Sequence, residues 1–155
     1  MFWKARRLCC AGMKMGYEEL EAEGLIIKAR IDPSRIKDSL ELARRDIETA
    51  KSVIENSCDW SYSISYNAML QASRALMFSL DYRPAGRNQH VSVVRFTEEA
   101  LGKDYKETIL LFERMRRNRH ISVYETPGTI SESQARNAIA SAEKLLAAVE
   151  KIIGR

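Results

Sequence analysis

Between Asp32 and Asn56 the apolar residues Ile36, Leu40, Ala43, Ile47, Ala50 and Ile54 recur at steps of four and three. At about 100° per residue, that spacing gathers them on one side of a helix. A one-sided stripe of this length is buried by packing against other helices. Asp32-Pro33 opens the segment with an N-cap residue and a proline at the first helical position, where its missing N–H costs nothing.

The rest of the chain repeats the signal. Tyr17 to Ile31 reads as a charged first helix interrupted near Gly24, with Leu20, Ile26 and Ile27 as its apolar contacts. Trp60 to Leu80 carries few charges and mixes Ile64, Ala68, Met69, Ala72, Leu76 and Met77 with small Ser and Ala, as expected of a central helix buried on several sides. Asp59 stands where a cap for that helix belongs. A polar connection with Pro and Gly breakers, Asp81 to His90, leads to a short helix from Val91 to Leu101. Another helix starts near Asp104 and reaches at least Asn118. Thr126-Pro-Gly128 breaks the chain, and Ser131-Glu-Ser-Gln134 is a capping box opening a last amphipathic helix. No segment shows sustained strand alternation with hairpin turns. The expectation is an all-α antiparallel bundle of about five helices, up-down in topology with an extra short helix. Residues 1–15 read as a poorly ordered tail and 16–155 as one helical domain.

Chemistry concentrates in Glu113-Arg-Met-Arg-Arg-Asn-Arg-His-Ile-Ser-Val-Tyr124. On a continuous helix Arg117, His120 and Tyr124 fall within roughly 60° of one another, with Glu113 on the same arc and Arg116 close to it. Leu111, Phe112 and Met115 project from the other side, where a core can take them. The displayed face offers guanidinium groups for phosphate, a titratable imidazole and an aromatic plane, a set suited to an anionic partner. The plainer reading is a solvated face with Glu113 paired to Arg117 at i, i+4. His90 reads as a helix-entry residue, and Trp60, Tyr62 and Tyr66 as core and interface.

Composition narrows the classes. The net charge of +4 and pI near 9.0 permit nucleic-acid binding without requiring it. No apolar run approaches the roughly 20 residues that span a bilayer. Three cysteines, Cys9 and Cys10 adjacent and Cys58 alone, form neither a disulfide framework nor metal-ligand spacing with the two histidines. The chain reads as cytoplasmic, with no metal and no cofactor.

Arg117-Asn118, then Tyr124-Glu125, the Pro/Gly break and the capped last helix, together with Trp60-Ser-Tyr-Ser-Ile-Ser-Tyr-Asn-Ala-Met-Leu-Gln-Ala-Ser-Arg-Ala-Leu and Asp81-Tyr-Arg-Pro, resemble the HEPN domain (higher eukaryotes and prokaryotes nucleotide-binding) from roughly Ile31 onward. The match is best to small stand-alone prokaryotic members, often encoded beside minimal nucleotidyltransferases. The resemblance implies a homodimer and RNA or nucleotide as partner. Ribonuclease members carry Arg-x(4–6)-His, so it also implies a metal-independent, toxin-type ribonuclease with a nucleotidyltransferase antitoxin and a site in a dimer groove. Here the usual His position counted from Arg117 is Ser122, and His120 is displaced. On that reading Arg117 and His120 are catalytic, while Arg114, Arg116, Asn118 and Tyr124 bind RNA or nucleotide. The alternatives are a non-catalytic nucleotide- or RNA-binding module partnering a nucleotidyltransferase, and a helical dimerisation scaffold.

Overall fold

The computed structural model describes residues 14–120 and 126–154, with side chains from 16 to 119 and from 126 to 154. Most of the expected tail, Ser122 and Tyr124 lie outside the described residues, as does the side chain of His120. Six helices follow in order: α1 (Lys14–Ala22), α2 (Pro33–Val53), α3 (Cys58–Ser79), α4 (Gln89–Leu101), α5 (Lys106–His120) and α6 (Glu132–Ile153), with a short 3-10 turn at Lys103–Tyr105. The all-α bundle is as the periodicity implied.

The capping chemistry behaves as its residue types require. Asp32 takes an extended backbone and accepts from the Ser34 N–H at 2.9 Å, with Pro33 directly after it. Ser131 and Gln134 form a reciprocal capping box at the start of α6. At α3 the cap is Ser57, whose hydroxyl accepts from the Trp60 N–H at 3.2 Å. Asp59, the second residue of the helix, instead accepts from the backbone N–H groups of Gly128 and Ile130, at 2.5 and 3.1 Å. It thereby ties the segment before α6 to the start of α3.

α3 packs against α2, α6, α4 and α5. Its buried set covers most of its circumference and includes Tyr62, Tyr66, Met69, Leu76, Met77 and Phe78. Small residues let the neighbours come close. Ser61, fully buried, donates to the Ala50 carbonyl of α2 at 2.8 Å, and Ser65 donates back to the Ser61 carbonyl. Phe112 and Met115 carry α5 into this core, both with no exposed surface.

A further expectation fails. The first helix does not continue to Ile31. It ends at Ala22, Gly24 adopts a left-handed φ of 71°, and Ile26–Lys28 forms a strand, β1. β1 pairs antiparallel with β2 (Tyr82–Pro84), Ile26 opposite Pro84 and Lys28 opposite Tyr82. Flanking bonds from Ala29 N–H to the Asp81 carbonyl and from Ala85 N–H to the Leu25 carbonyl extend the ladder. Three residues are too few for alternation to show in the sequence, and the pairing is held by Ile26, which is wholly buried in the core. The connection after α3 is correspondingly ordered by β2, and α4 begins two residues earlier than its apolar pattern.

Truncation of Phe112 to Ala is expected to cost about 3–5 kcal/mol, because a close-packed ring leaves a cavity behind. Urea denaturation at constant m-value would measure it. A loss below about 1 kcal/mol would contradict this packing.

Candidate functional site: a cleft between the central helix and the arginine helix

The inward face of α5 determines which of its arginines meet the rest of the molecule. Arg119 is seven residues after Phe112, a rotation of roughly 20° from it on an ideal helix, and Arg116 is about 40° away on the other side. Arg117 lies about 140° from Phe112. Phe112 is buried, so Arg116 and Arg119 are carried to the edge of the core while Arg117 points outward.

At that edge stands Tyr66 of α3, 1% exposed. Its ring is tilted against Phe112 at 5.6 Å and stacked with His90 of α4 at 5.9 Å. The Arg119 guanidinium carbon lies 5.7 Å from the Tyr66 ring centroid, within cation–π range. The Tyr66 hydroxyl and His90 Nδ1 are 2.7 Å apart, a hydrogen bond in either tautomer of the imidazole.

The electrostatics follow from this crowding. Burial pushes the Tyr66 phenol up to about 12, so it stays protonated. Burial first, and then the charges of Arg119, Arg74 and Arg116, hold the His90 imidazole below its ordinary value of 6.5. Arg74 comes from α3, and its guanidinium is itself half-buried, which lowers its proton affinity. Three cations from two helices thus converge on one neutral imidazole.

Of the residues expected from the sequence, Arg116 belongs to this cluster. Glu113 orients it through two bonds of 2.8 Å and accepts a third, also 2.8 Å, from Arg117 Nε. The Glu113 carboxylate is held below its usual range by Arg116 first and Arg117 next. The expected Glu113–Arg117 pair is therefore present, with Arg117 on the solvent side at 70% side-chain exposure. Arg114 is exposed on the flank facing Tyr62, and Asn118 is half-buried. His120 closes α5, and the expected contacts of its side chain and of Tyr124 fall outside the described residues.

Tyr66 also lines a cleft of about 380 Å³ with Asp46, Trp60, Ser63, Ile64, Asn67 and Arg119. Asp46 of α2 is buried at 5% exposure. Its Oδ1 accepts from Arg45 at 2.7 and 3.0 Å, and its Oδ2 accepts from Asn67 Nδ2 at 2.5 Å. Trp60 is 56% exposed at the rim, so it is not the core residue that its neighbours Tyr62 and Tyr66 are. His90, Tyr66, Arg74, Arg119 and the cleft residues were not singled out by sequence reasoning as binding groups. The one available signal was the seven-residue spacing from Phe112 to Arg119. Among the described residues, no three His, Cys, Asp or Glu side chains are placed to hold a metal ion, and no helix is long and apolar enough to cross a membrane.

Fold and site together define a class: an all-α bundle that presents an arginine-ringed imidazole–phenol pair beside an aromatic-rimmed cleft. The HEPN domain model matches residues 36–152, and the chain belongs to the HEPN family. Among solved structures, TT1696 from Thermus thermophilus is similar in fold, with a TM-score of 0.61 at 18% identity over 76% of this chain and 98% of that one. No curated protein matches the chain.

The His90 ring is expected to titrate below 6.5 by NMR, and Arg119→Ala should raise its midpoint. The folded state takes up this proton less readily than the unfolded chain. Stability from His90 is therefore complete above about pH 6.5, and it is lost as pH falls from there through the lower folded value. A midpoint at or above 6.5 would contradict the arrangement.

Proposed function

We propose that the protein is an RNA- or nucleotide-binding HEPN module whose ligand places a phosphate against Arg119, Arg116 and Arg74 beside the Tyr66–His90 pair. The carrying observation is the Arg119 guanidinium 5.7 Å from the ring of Tyr66, whose hydroxyl is hydrogen-bonded to His90 at 2.7 Å, with the charges of Arg119, Arg74 and Arg116 adding to burial in lowering the imidazole's proton affinity. Such an arrangement repels a proton and attracts an anion. Arg117 and Arg114, exposed on the outer flank of α5, extend the basic surface for the flanking phosphates of a longer strand. Asn118 and Tyr124 are the remaining candidates for ligand contact on that segment.

Metal-independent cleavage is the second reading, and the neutral imidazole favours it. In the tautomer that donates from Nδ1 to the phenol oxygen, His90 Nε2 is a base at pH 7 for a ribose 2′-OH, and the neighbouring arginines stabilise charge growing on the phosphate. Arg117 and His120 are the catalytic candidates that the motif supplies. A toxin role, a minimal nucleotidyltransferase as antitoxin, a homodimer with the site in its groove and a cytoplasmic setting belong to the same proposal. All but the cytoplasmic setting, which is read from the cysteine pattern, are supported by the resemblance of residues 60–76 and 117–125 to stand-alone members of the family.

Fluorescence anisotropy with a labelled single-stranded RNA, titrated across KCl concentrations, tests binding. Affinity should fall steeply with salt, and Arg119→Ala and Arg116→Ala should each weaken it and reduce the log–log slope by about one. Folded wild type that shows no salt-dependent binding would overturn the reading. Incubation with total RNA in EDTA separates the two forms. Cleavage that is lost in His90→Ala, or in Arg117→Ala and His120→Ala, establishes the ribonuclease and locates its base.

A further inference from the structure

We propose that the cleft along α3 is a nucleobase subsite, in which an unpaired base stacks on Trp60 while its phosphate meets Arg119 at the opposite end. The inference rests on the reading that the protein binds RNA or a nucleotide, and it adds which part of that ligand is recognised and where.

The geometry of α3 lays the site out. Trp60, Ser63, Ile64 and Asn67 occur at i, i+3, i+4 and i+7, so they form one stripe about 10 Å long on the helix surface. Trp60 lies at one end and Tyr66 with Arg119 at the other. The cleft has a volume of about 380 Å³ and is open to solvent. Asp46 of α2 lines the cleft too, bonded to Asn67.

Each lining group suits a base. Trp60 is more than half exposed, although a large indole on a helix otherwise buried on most sides would ordinarily be covered. An indole face at a cleft mouth stacks on any base, with little regard to sequence. The Asn67 amide is oriented by its bond to Asp46 Oδ2, and Asp46 is held in turn by Arg45. One amide N–H is thereby committed, and the amide retains a second N–H and a carbonyl oxygen. A paired donor and acceptor of this kind matches edges of adenine, cytosine and uracil alike. Ser63, on the same stripe, has a shielded hydroxyl with no hydrogen-bond partner among the described residues. An aromatic plate at one end of the cleft and a guanidinium at the other suit the base and the phosphate of a nucleotide. An apolar helix or loop from another protein would leave the Asp46–Asn67 wall unmatched. A duplex, whose bases are already stacked and paired, cannot enter.

The subsite therefore selects single strands. Trp3 and Trp60 are the only tryptophans in the chain, so Trp3→Phe leaves Trp60 as the sole indole reporter. Three probes of equal length would be titrated into this protein: single-stranded RNA, an abasic ribose-phosphate oligomer and double-stranded RNA. The single strand is expected to quench Trp60 fluorescence and to bind about tenfold more tightly than the abasic strand, in line with one stacked base. Trp60→Ala should remove that difference and leave abasic binding unchanged, while Trp60→Tyr should retain most of it. Trp60 is exposed, so these variants should keep the wild-type circular dichroism. Equal affinity of wild type for single-stranded and abasic oligomers would overturn the subsite yet leave phosphate binding in place. So would a Trp60→Ala protein that keeps its preference for bases but changes its mass by light scattering, which would make Trp60 a contact between copies of the chain. Binding of none of the three probes would instead overturn the parent reading.

Discussion

Burial of α3 on nearly every side is the constraint on which the rest of the molecule depends. A helix so enclosed has to satisfy most of the polar groups it carries inside the protein, because water is excluded, and among the described residues only the shielded hydroxyls of Ser63 and Ser73 on it lack a partner. Ser61 and Ser65 do this by donating to backbone carbonyls, and their small size also lets α2 lie close. Tyr66 is the exception by position, since its ring belongs to the core and its hydroxyl reaches the edge. The nearest partner there is His90, carried in the first turn of α4. The fold thus places a phenol–imidazole pair where α3, α4 and α5 meet, and the location of the site follows from the packing of the core.

Charge then makes that location cationic. Arg116 and Arg119 arrive on the same face of α5 as Phe112, so the contact that buries the phenyl ring also brings two guanidinium groups to His90 and Tyr66. Arg74 adds a third from α3. Glu113 offsets part of this charge through its bonds to Arg116, and the balance at the imidazole remains repulsive to a proton. A phosphate entering the cluster would relieve that repulsion and let the ring take up a proton, so anion binding and His90 protonation favour each other. The Asp46–Arg45–Asn67 network next to it is already internally paired and contributes an oriented amide more than a net charge.

Most of the fold was legible because it is written in local chemistry. Asp32-Pro33 and the Ser131–Gln134 box mark helix starts that hold in the structure, and the four-and-three stripe of α2 faces inward as its period requires. The β1–β2 pair was not legible. Its register depends on Ile26 finding the core and on Gly24 turning the chain, neither of which leaves a periodic trace over three residues. Of the candidate site, the arginine helix was legible and its inward contacts were not. The segment from Glu113 onward is the arginine source that its composition implies, but its outward arc draws attention to Arg117. Tyr66 and His90 are 24 residues apart, and only the packing of α4 on α3 brings them together. A lone histidine at a helix entry carries no spacing from which that contact could be read.

The two faces of α5 divide the work that a single arginine run suggested. Arg117 makes an exposed ion pair with Glu113, a kind of pair worth about 0–1 kcal/mol, so little holds it to its present partner when a phosphate approaches. Arg116 shares the same carboxylate but is only 25% exposed, which makes its position stiffer and its field at the imidazole stronger. Arg119 lies over an aromatic ring at the end of the cleft. From solvent to core, the helix therefore presents cations of increasing constraint. An outer charge that is readily released suits capture of a polyanion at any point along its backbone. Inner charges fixed against Tyr66 suit holding one phosphate in a defined place. A strand caught by the first and seated by the second would be ordered from its backbone inward, with the base beside the seated phosphate as the part that enters the cleft.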